Sequence, residues 1–142
     1  VVRERIKKRY PNQFIHPENE TIKDVTHLLW TGDTIAETSH GRNAVFYGEK
    51  AIDRSPCGTG TSARLAQLHG KGKLKKGEEF IHESFIGSTF VGCVEEETTL
   101  GDFPAIVPSV KGWAKTYGYN TIIIDDEDDP YAEFAIPDDL IW

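Results

Sequence analysis

A strand-dominated α+β unit is expected from this sequence on three grounds. The chain has 142 residues with a hydrophobic fraction of 38%, enough for one ordinary domain with a core. One stretch carries a clear helical period, from Thr59 or Gly60 to about His69, where Ala63, Leu65, Ala66 and Leu68 recur at helix-like intervals. Around it, short runs of β-branched and aromatic residues alternate with glycine-bearing turns, the pattern of strands. No internal repeat, low-complexity tract or linker divides the chain, so a single unit over 1–142 is expected.

Taken in order, the basic segment Val2–Tyr10 suits a helix or a strand, and Pro11 ends it. Asp24–Trp30 is rich in β-formers and precedes the turn signal Thr31-Gly32-Asp33, so it reads as a strand. A polar connection from Gly32 to Arg42 leads to a second strand, Ala44–Tyr47, closed by Gly48-Glu49-Lys50. The helix follows, with Gly70 expected as its C-terminal cap. Lys71, Lys73, Lys75 and Lys76 sit among glycines and read as a solvated loop turning at Gly77-Glu78. Phe80–Ser84, Ser88–Val94, Pro104–Val110, Ala114–Tyr119 and Asn120–Ile124 read as successive strands, with Gly87, Gly92, Gly101, Gly112 and Gly118 as turns or bulges. The acidic run Asp125–Asp129 lacks the alternation and central glycine of a calcium loop and reads as a solvated turn.

Charge and composition narrow the function. Acids outnumber bases 23 to 16, for a net charge of −7, which argues against a nucleic-acid partner because phosphate recognition needs a concentrated cationic face. A small anionic substrate is compatible with a local positive site. Two cysteines are too few for a disulfide scaffold and point to free thiols in a reducing, cytoplasmic setting. No apolar run approaches the ~18 residues of a spanning helix, and no charged segment precedes an apolar one, so neither membrane insertion nor an export signal is expected. Asn19-Glu20-Thr21 matches a glycosylation sequon, a chance match in a cytoplasmic chain. The chain starts at Val1 without methionine and enters an ordered element at once, as if cut from a longer protein.

The stretch that carries chemistry is DRSPCGTGTSARLA, from Asp53 to Ala66. A helix that starts within a residue or two of Cys57 leaves its first amides unpaired, so those of Cys57, Gly58, Thr59 and Gly60 form an anion cradle. The glycines permit close approach of a ligand, and Pro56 fixes the path into the turn. The same partial positive charge favours a thiolate, which suits Cys57 for proton transfer, nucleophilic attack or redox chemistry alike. None of His16, His27, His40, His69 and His82 is tied to Cys57 by spacing, and they read as surface or packing residues. Metal-ligand spacing and a CxxC motif are absent. Asp53 either caps the turn, pairs with Arg54, or holds the positive end of a zwitterion whose carboxylate lies on the amides.

That motif resembles the second catalytic-cysteine motif of the proline racemase family, which includes proline racemases and 4-hydroxyproline 2-epimerases. The similarity extends through Arg42–Phe46, Glu83–Ser88 and Pro104–Pro108, and covers about the C-terminal half of a typical member. The resemblance implies a diaminopimelate-epimerase-like lobe, a mixed or antiparallel sheet wrapped around a central helix that starts at the Cys57 motif. It implies a cofactor-independent reaction at the α-carbon of proline or 4-hydroxyproline, in which Cys57 is one of two acid/base thiols. Gly58 and Thr59 then bind the carboxylate, Asp53 lies by the ring nitrogen, and Tyr47 falls where proline racemases offer an aromatic wall, which leans the expected substrate toward proline. A tyrosine hydroxyl could also meet a 4-hydroxyl group. The related dehydratases carry threonine at the Cys57 position, so the thiol favours racemisation or epimerisation. The family's other cysteine belongs to its N-terminal half, which implies a missing lobe or partner chain, or a homodimer. Cys93, in the apolar run Val91–Val94, reads as a packed structural thiol. Two other readings remain: a catalytically incomplete lobe that only binds an imino acid or carboxylate, and a thiol redox sensor.

Overall fold

The computed structural model describes residues 2–47 and 51–121. The basic opening segment is a helix, α1 (Val2–Arg9), with no buried residue. A small hairpin pairs β1 (Ile15–His16) with β2 (Asn19–Lys23). The main sheet comprises β3 (Leu28–Gly32), β4 (Gly41–Tyr47), β6 (Glu79–Ser84), β7 (Thr89–Leu100) and β8 (Phe103–Lys111) in that spatial order, with β5 (Ala51–Ile52) pairing β4. Its neighbours are antiparallel except β4 and β6, which run parallel, with Gly41 opposite His82 and Asn43 opposite Ser84. A parallel pair needs a long crossover, and here the crossover carries α2 (Gly58–Gly70). The expected α+β fold with a mixed sheet and a central helix is the one observed.

Helix α2 packs on β7 and β8. Leu65 is fully buried and joins Leu74, Phe80 and Val94 in the core, with Leu68 and Ile106 packed against them. Close approach is possible because position 92 is glycine: a Cβ there would stand 2.8 Å from Leu65 Cδ1 and 3.2 Å from Thr61 Cγ2. No helix among the described residues is long and apolar enough to cross a membrane.

Several expectations change. The strand expected at Asp24–Trp30 begins only at Leu28 and continues through Gly32, because its ladder pairs Leu28 with Phe46 and Gly32 with Arg42. Asp24, at φ 72°, turns the chain out of β2 instead. The β1–β2 hairpin and β5 are additional elements. β7 runs on to Leu100 past a bulge between Val94 and Glu96, held by β8 although its second half is exposed. The strand expected at Ala114–Tyr119 is absent: residues 112–121 are irregular and exposed. The alternation there supplies β-propensity, but a strand also needs a neighbour, and Tyr117 and Tyr119 stand 100% and 96% exposed. Asn120 and Thr121 are likewise irregular. The rest of Asn120–Ile124, the acidic run Asp125–Asp129 and the Gly48-Glu49-Lys50 turn lie outside the described residues.

Candidate active site

The turn that carries Cys57 hangs from β4. Asp53 N–H donates to the Val45 carbonyl at 2.8 Å. Asp53 Oδ1 accepts from both Ser55 N–H and Ser55 Oγ, each at 2.9 Å, an Asx turn of the kind that pre-shapes a loop. Ser55 Oγ in turn accepts from Cys57 N–H at 3.1 Å. Asp53 therefore caps the turn, and the Cys57 amide, expected in the anion cradle, is already committed inside it.

Cys57 is the N-cap of α2, at φ 64° and ψ 118°. A non-glycine residue in the positive-φ region costs on the order of 1–3 kcal/mol and persists only where its surroundings enforce it. Its Sγ accepts from Gly60 N–H at 3.3 Å and lies 3.5 Å from Thr59 Oγ1. The Gly60 amide is thus spent on the sulfur. Those of Gly58 and Thr59 have no acceptor among the described residues, so two of the four expected cradle amides remain open at the positive end of the helix. Gly60 cannot carry a side chain without disturbance, since its Cβ would stand 2.8 Å from Leu29 Cδ1 and 3.2 Å from Cys57 Sγ.

Cys57, Thr59 and Gly60 line a cleft of about 620 Å³. Ala63, Arg64 and Gln67 continue that wall along α2; Phe14, Asp24, His27, Leu29 and Val45 face it. The half-buried thiol therefore meets a space large enough for a small amino acid. Of the residues singled out by sequence, the structure gathers Cys57, Gly58 and Thr59 at one point. Asp53 is bonded within the turn and is not among the residues lining the cleft, and Tyr47 lies beside the cleft residue His27, with ring centroids 6.4 Å apart. Cys93 is a free thiol on β7, outside this cleft; burial and the neighbouring Glu95 carboxylate push its pKa up.

Sequence reasoning overlooked the polar layer under the turn. The Pro56 carbonyl accepts from Asn43 Nδ2 at 3.0 Å and from Thr61 Oγ1 at 3.3 Å. His82 contacts both donors, through Nε2 to Asn43 at 2.9 Å and Nδ1 to Thr61 Oγ1 at 3.0 Å. Burial, and then the charge of Arg64, push the His82 pKa down to about 4, so the ring is neutral near pH 7. Next to it, Glu83 is 1% exposed and accepts from the Ile35 and Ala36 amides at 3.1 and 3.2 Å. Burial raises its pKa, but the Ala36 and Ile35 amides and the Arg42 guanidinium hold it net below the ordinary carboxylate value. The available signal was His82-Glu83-Ser84 itself, three polar residues that follow Phe80 and Ile81 at the end of a strand.

A sequence model of the family described as proline racemase matches residues 1–134. The chain is 63% identical over 132 residues to a 4-hydroxyproline 2-epimerase of Spirosoma linguale, covering 93% of this chain and 39% of the relative. It is 64% identical over 118 residues to a 4-hydroxyproline 2-epimerase of Shewanella loihica, covering 83% and 35% respectively. The chain thus spans under two-fifths of the length of these curated relatives. Among solved structures, a hydroxyproline epimerase from Agrobacterium vitis with bound trans-4-hydroxy-L-proline superposes with a TM-score of 0.73 at 33% identity, over 82% of this chain and 33% of that one. A probable proline racemase from Agrobacterium radiobacter K84 with bound carbonate gives 0.74 at 35% identity, over 92% and 37%.

Proposed function

The chain belongs to the proline racemase family, and from that premise we propose that it is the C-terminal lobe of an epimerase acting on the α-carbon of 4-hydroxyproline, with Cys57 as one of two acid/base thiols. The observation that carries this reading is the placement of Cys57 Sγ on the cleft wall beside the open Gly58 and Thr59 amides. A carboxylate seated on those amides puts its Cα over the sulfur. The Cys57 thiolate takes the α-proton from one face, and a second thiol delivers a proton to the other, so no net proton is consumed. Negative charge that builds on the carboxylate in between is met by the helix start. Asp53 shapes the turn through Ser55, and His27, with Tyr47 beside it, walls the ring. The scheme requires no cofactor. 4-Hydroxyproline is preferred to proline because relatives 63%, 64% and 60% identical to this chain carry that activity in their names.

One observation favours a second reading, a lobe that binds an imino acid without inverting it: the chain's other cysteine, Cys93, is outside the cleft. Inversion then needs a thiol from another lobe. Incubation of the chain in D2O with trans-4-hydroxy-L-proline, alone and mixed with the N-terminal lobe of a relative, separates the two. Deuterium at the α-position and appearance of cis-4-hydroxy-D-proline in the mixture support the epimerase. Saturable binding with no deuterium under either condition overturns it in favour of the binding lobe.

A further inference from the structure

The polar layer under Cys57 is not used by the chemistry above. His82 is 1% exposed, Asn43 2% and Thr61 0%; polar groups this deep are costly unless they bond one another, and here all do so except Asn43 Oδ1, which finds no partner among the described residues. Proton bookkeeping gives each bond its direction. Asn43 Nδ2 has only hydrogens to give, one to the Pro56 carbonyl and one to the His82 ring, where it lies nearer Nε2, at 2.9 Å, than Nδ1, at 3.2 Å. Nε2 is therefore the acceptor, and the neutral ring carries its proton on Nδ1. That proton goes to Thr61 Oγ1, whose own hydroxyl hydrogen is then free for the Pro56 carbonyl.

The carbonyl that collects both donors belongs to the peptide unit joining Pro56 to Cys57. The N–H of the same unit is held by Ser55 Oγ. Both ends of one peptide plane are pinned, and the orientation of that plane sets φ of Cys57, the strained angle of 64°. We propose that His82 is a positioning residue for Cys57: as the Nδ1–H imidazole it aims Thr61 and Asn43 at the Pro56 carbonyl and so locks the peptide plane that puts Sγ on the cleft wall. Its importance for turnover rests on the reading of Cys57 as a proton-transfer thiol. Protonation of the ring would set Nε2–H against the Asn43 N–H and break the arrangement. The charged or titratable groups around the ring are Asp33 after β3, His40 before β4, Arg42 of β4 and Arg64 of α2, with Glu83 next to it on its own strand.

The test uses the full chain carrying Cys93→Ala, labelled with 13C-cysteine so that one residue reports. Thr61→Val removes the relaying hydroxyl at nearly constant shape, His82→Leu removes both ring nitrogens, and His82→Asn retains a donor toward Thr61. The expected result is a moved Cys57 13Cα/13Cβ signal in Thr61→Val and His82→Leu, with α-deuterium incorporation in the lobe mixture down about tenfold, the scale of one lost hydrogen bond. His82→Asn returns both readouts toward the starting values. Should His82→Leu fail to fold, Thr61→Val decides: an unmoved cysteine signal with undiminished exchange overturns the proposal. Absence of exchange in the unsubstituted chain, with the cysteine signal still shifting in Thr61→Val, counts against the epimerase reading and for the positioning role.

Discussion

Helix α2 ends in two opposite ways. At its C-terminus Gly72 N–H donates to the His69 carbonyl at 2.8 Å and Lys73 N–H to that of Leu68 at 2.9 Å, the paired closure of a Schellman motif. The residue there with φ of 65° is a glycine, for which that angle carries no steric cost. At its N-terminus the positive-φ residue is Cys57, two amides stay open, and a third is spent on a sulfur atom. The lower end is closed and relaxed; the upper end is held open and strained. Strain of this kind survives where surrounding contacts outweigh it, and the contacts are those of Asn43, Thr61, His82 and Ser55.

The sharpest way to break that contrast is to remove the sulfur. Cys57→Ser is expected to cut α-proton exchange by about a thousandfold, within the range for loss of an acid/base group, while thermal melting stays cooperative near the original midpoint. A collapse of the melt would make Cys57 a structural residue. Next comes Gly60→Ala. Propensity alone would make it stabilising by up to about 1 kcal/mol, but the added Cβ meets Leu29 Cδ1 at 2.8 Å and Cys57 Sγ at 3.2 Å. Exchange should fall on the order of 10- to 100-fold through displacement of the thiol; unimpaired exchange would mean that the upper end yields freely.

The two ends also differ in how far they could be read from sequence. The Cys57 turn, the helix that follows and the open Gly58 and Thr59 amides were legible because they arise within one continuous stretch, from backbone rules that act over a few residues. The cap was misplaced: Gly70 is the last helical residue and Gly72 takes the left-handed position, because two nearby glycines satisfy the same local rule. What holds the upper end was hidden for a different reason. His82 meets Thr61 from 21 residues away and Asn43 from 39; the parallel pairing of β4 with β6 brings in Asn43, and the packing of α2 on the sheet brings in Thr61. The expected strand at Ala114–Tyr119 failed by the same logic reversed, since local propensity was present and no segment among the described residues pairs with it.

Acidity tests the upper end selectively. His82 has a folded-state pKa near 4, below its ordinary 6.5, so between those values the unfolded chain binds more protons than the folded one. The stability associated with a neutral His82 is complete above about pH 6.5 and drains as pH falls toward 4. Glu83, depressed by its amide bonds and Arg42 after burial has raised it, adds a second loss at lower pH, below the ordinary carboxylate range. Urea midpoints should fall between pH 7 and pH 5, and His82→Asn should flatten that first decline. An unchanged slope in the variant would place the titrating group elsewhere.

The smallest effects distinguish the glycines of the lower end. Gly70 lies inside the helix with nothing within 4 Å of a prospective Cβ, so Gly70→Ala replaces a flexible residue with the best helix former and should stabilise by a few tenths to about 1 kcal/mol. Gly72 has the same open surroundings but φ of 65°, so Gly72→Ala should destabilise by about 1 kcal/mol. Neither change should alter α-proton exchange, because both positions lie at the end of α2 opposite Cys57. Denaturant titration of the two variants side by side reads the opposite signs directly. If both stabilised, the left-handed closure would be dispensable, and the two ends of the helix would differ less in strain than in what each is left free to bind.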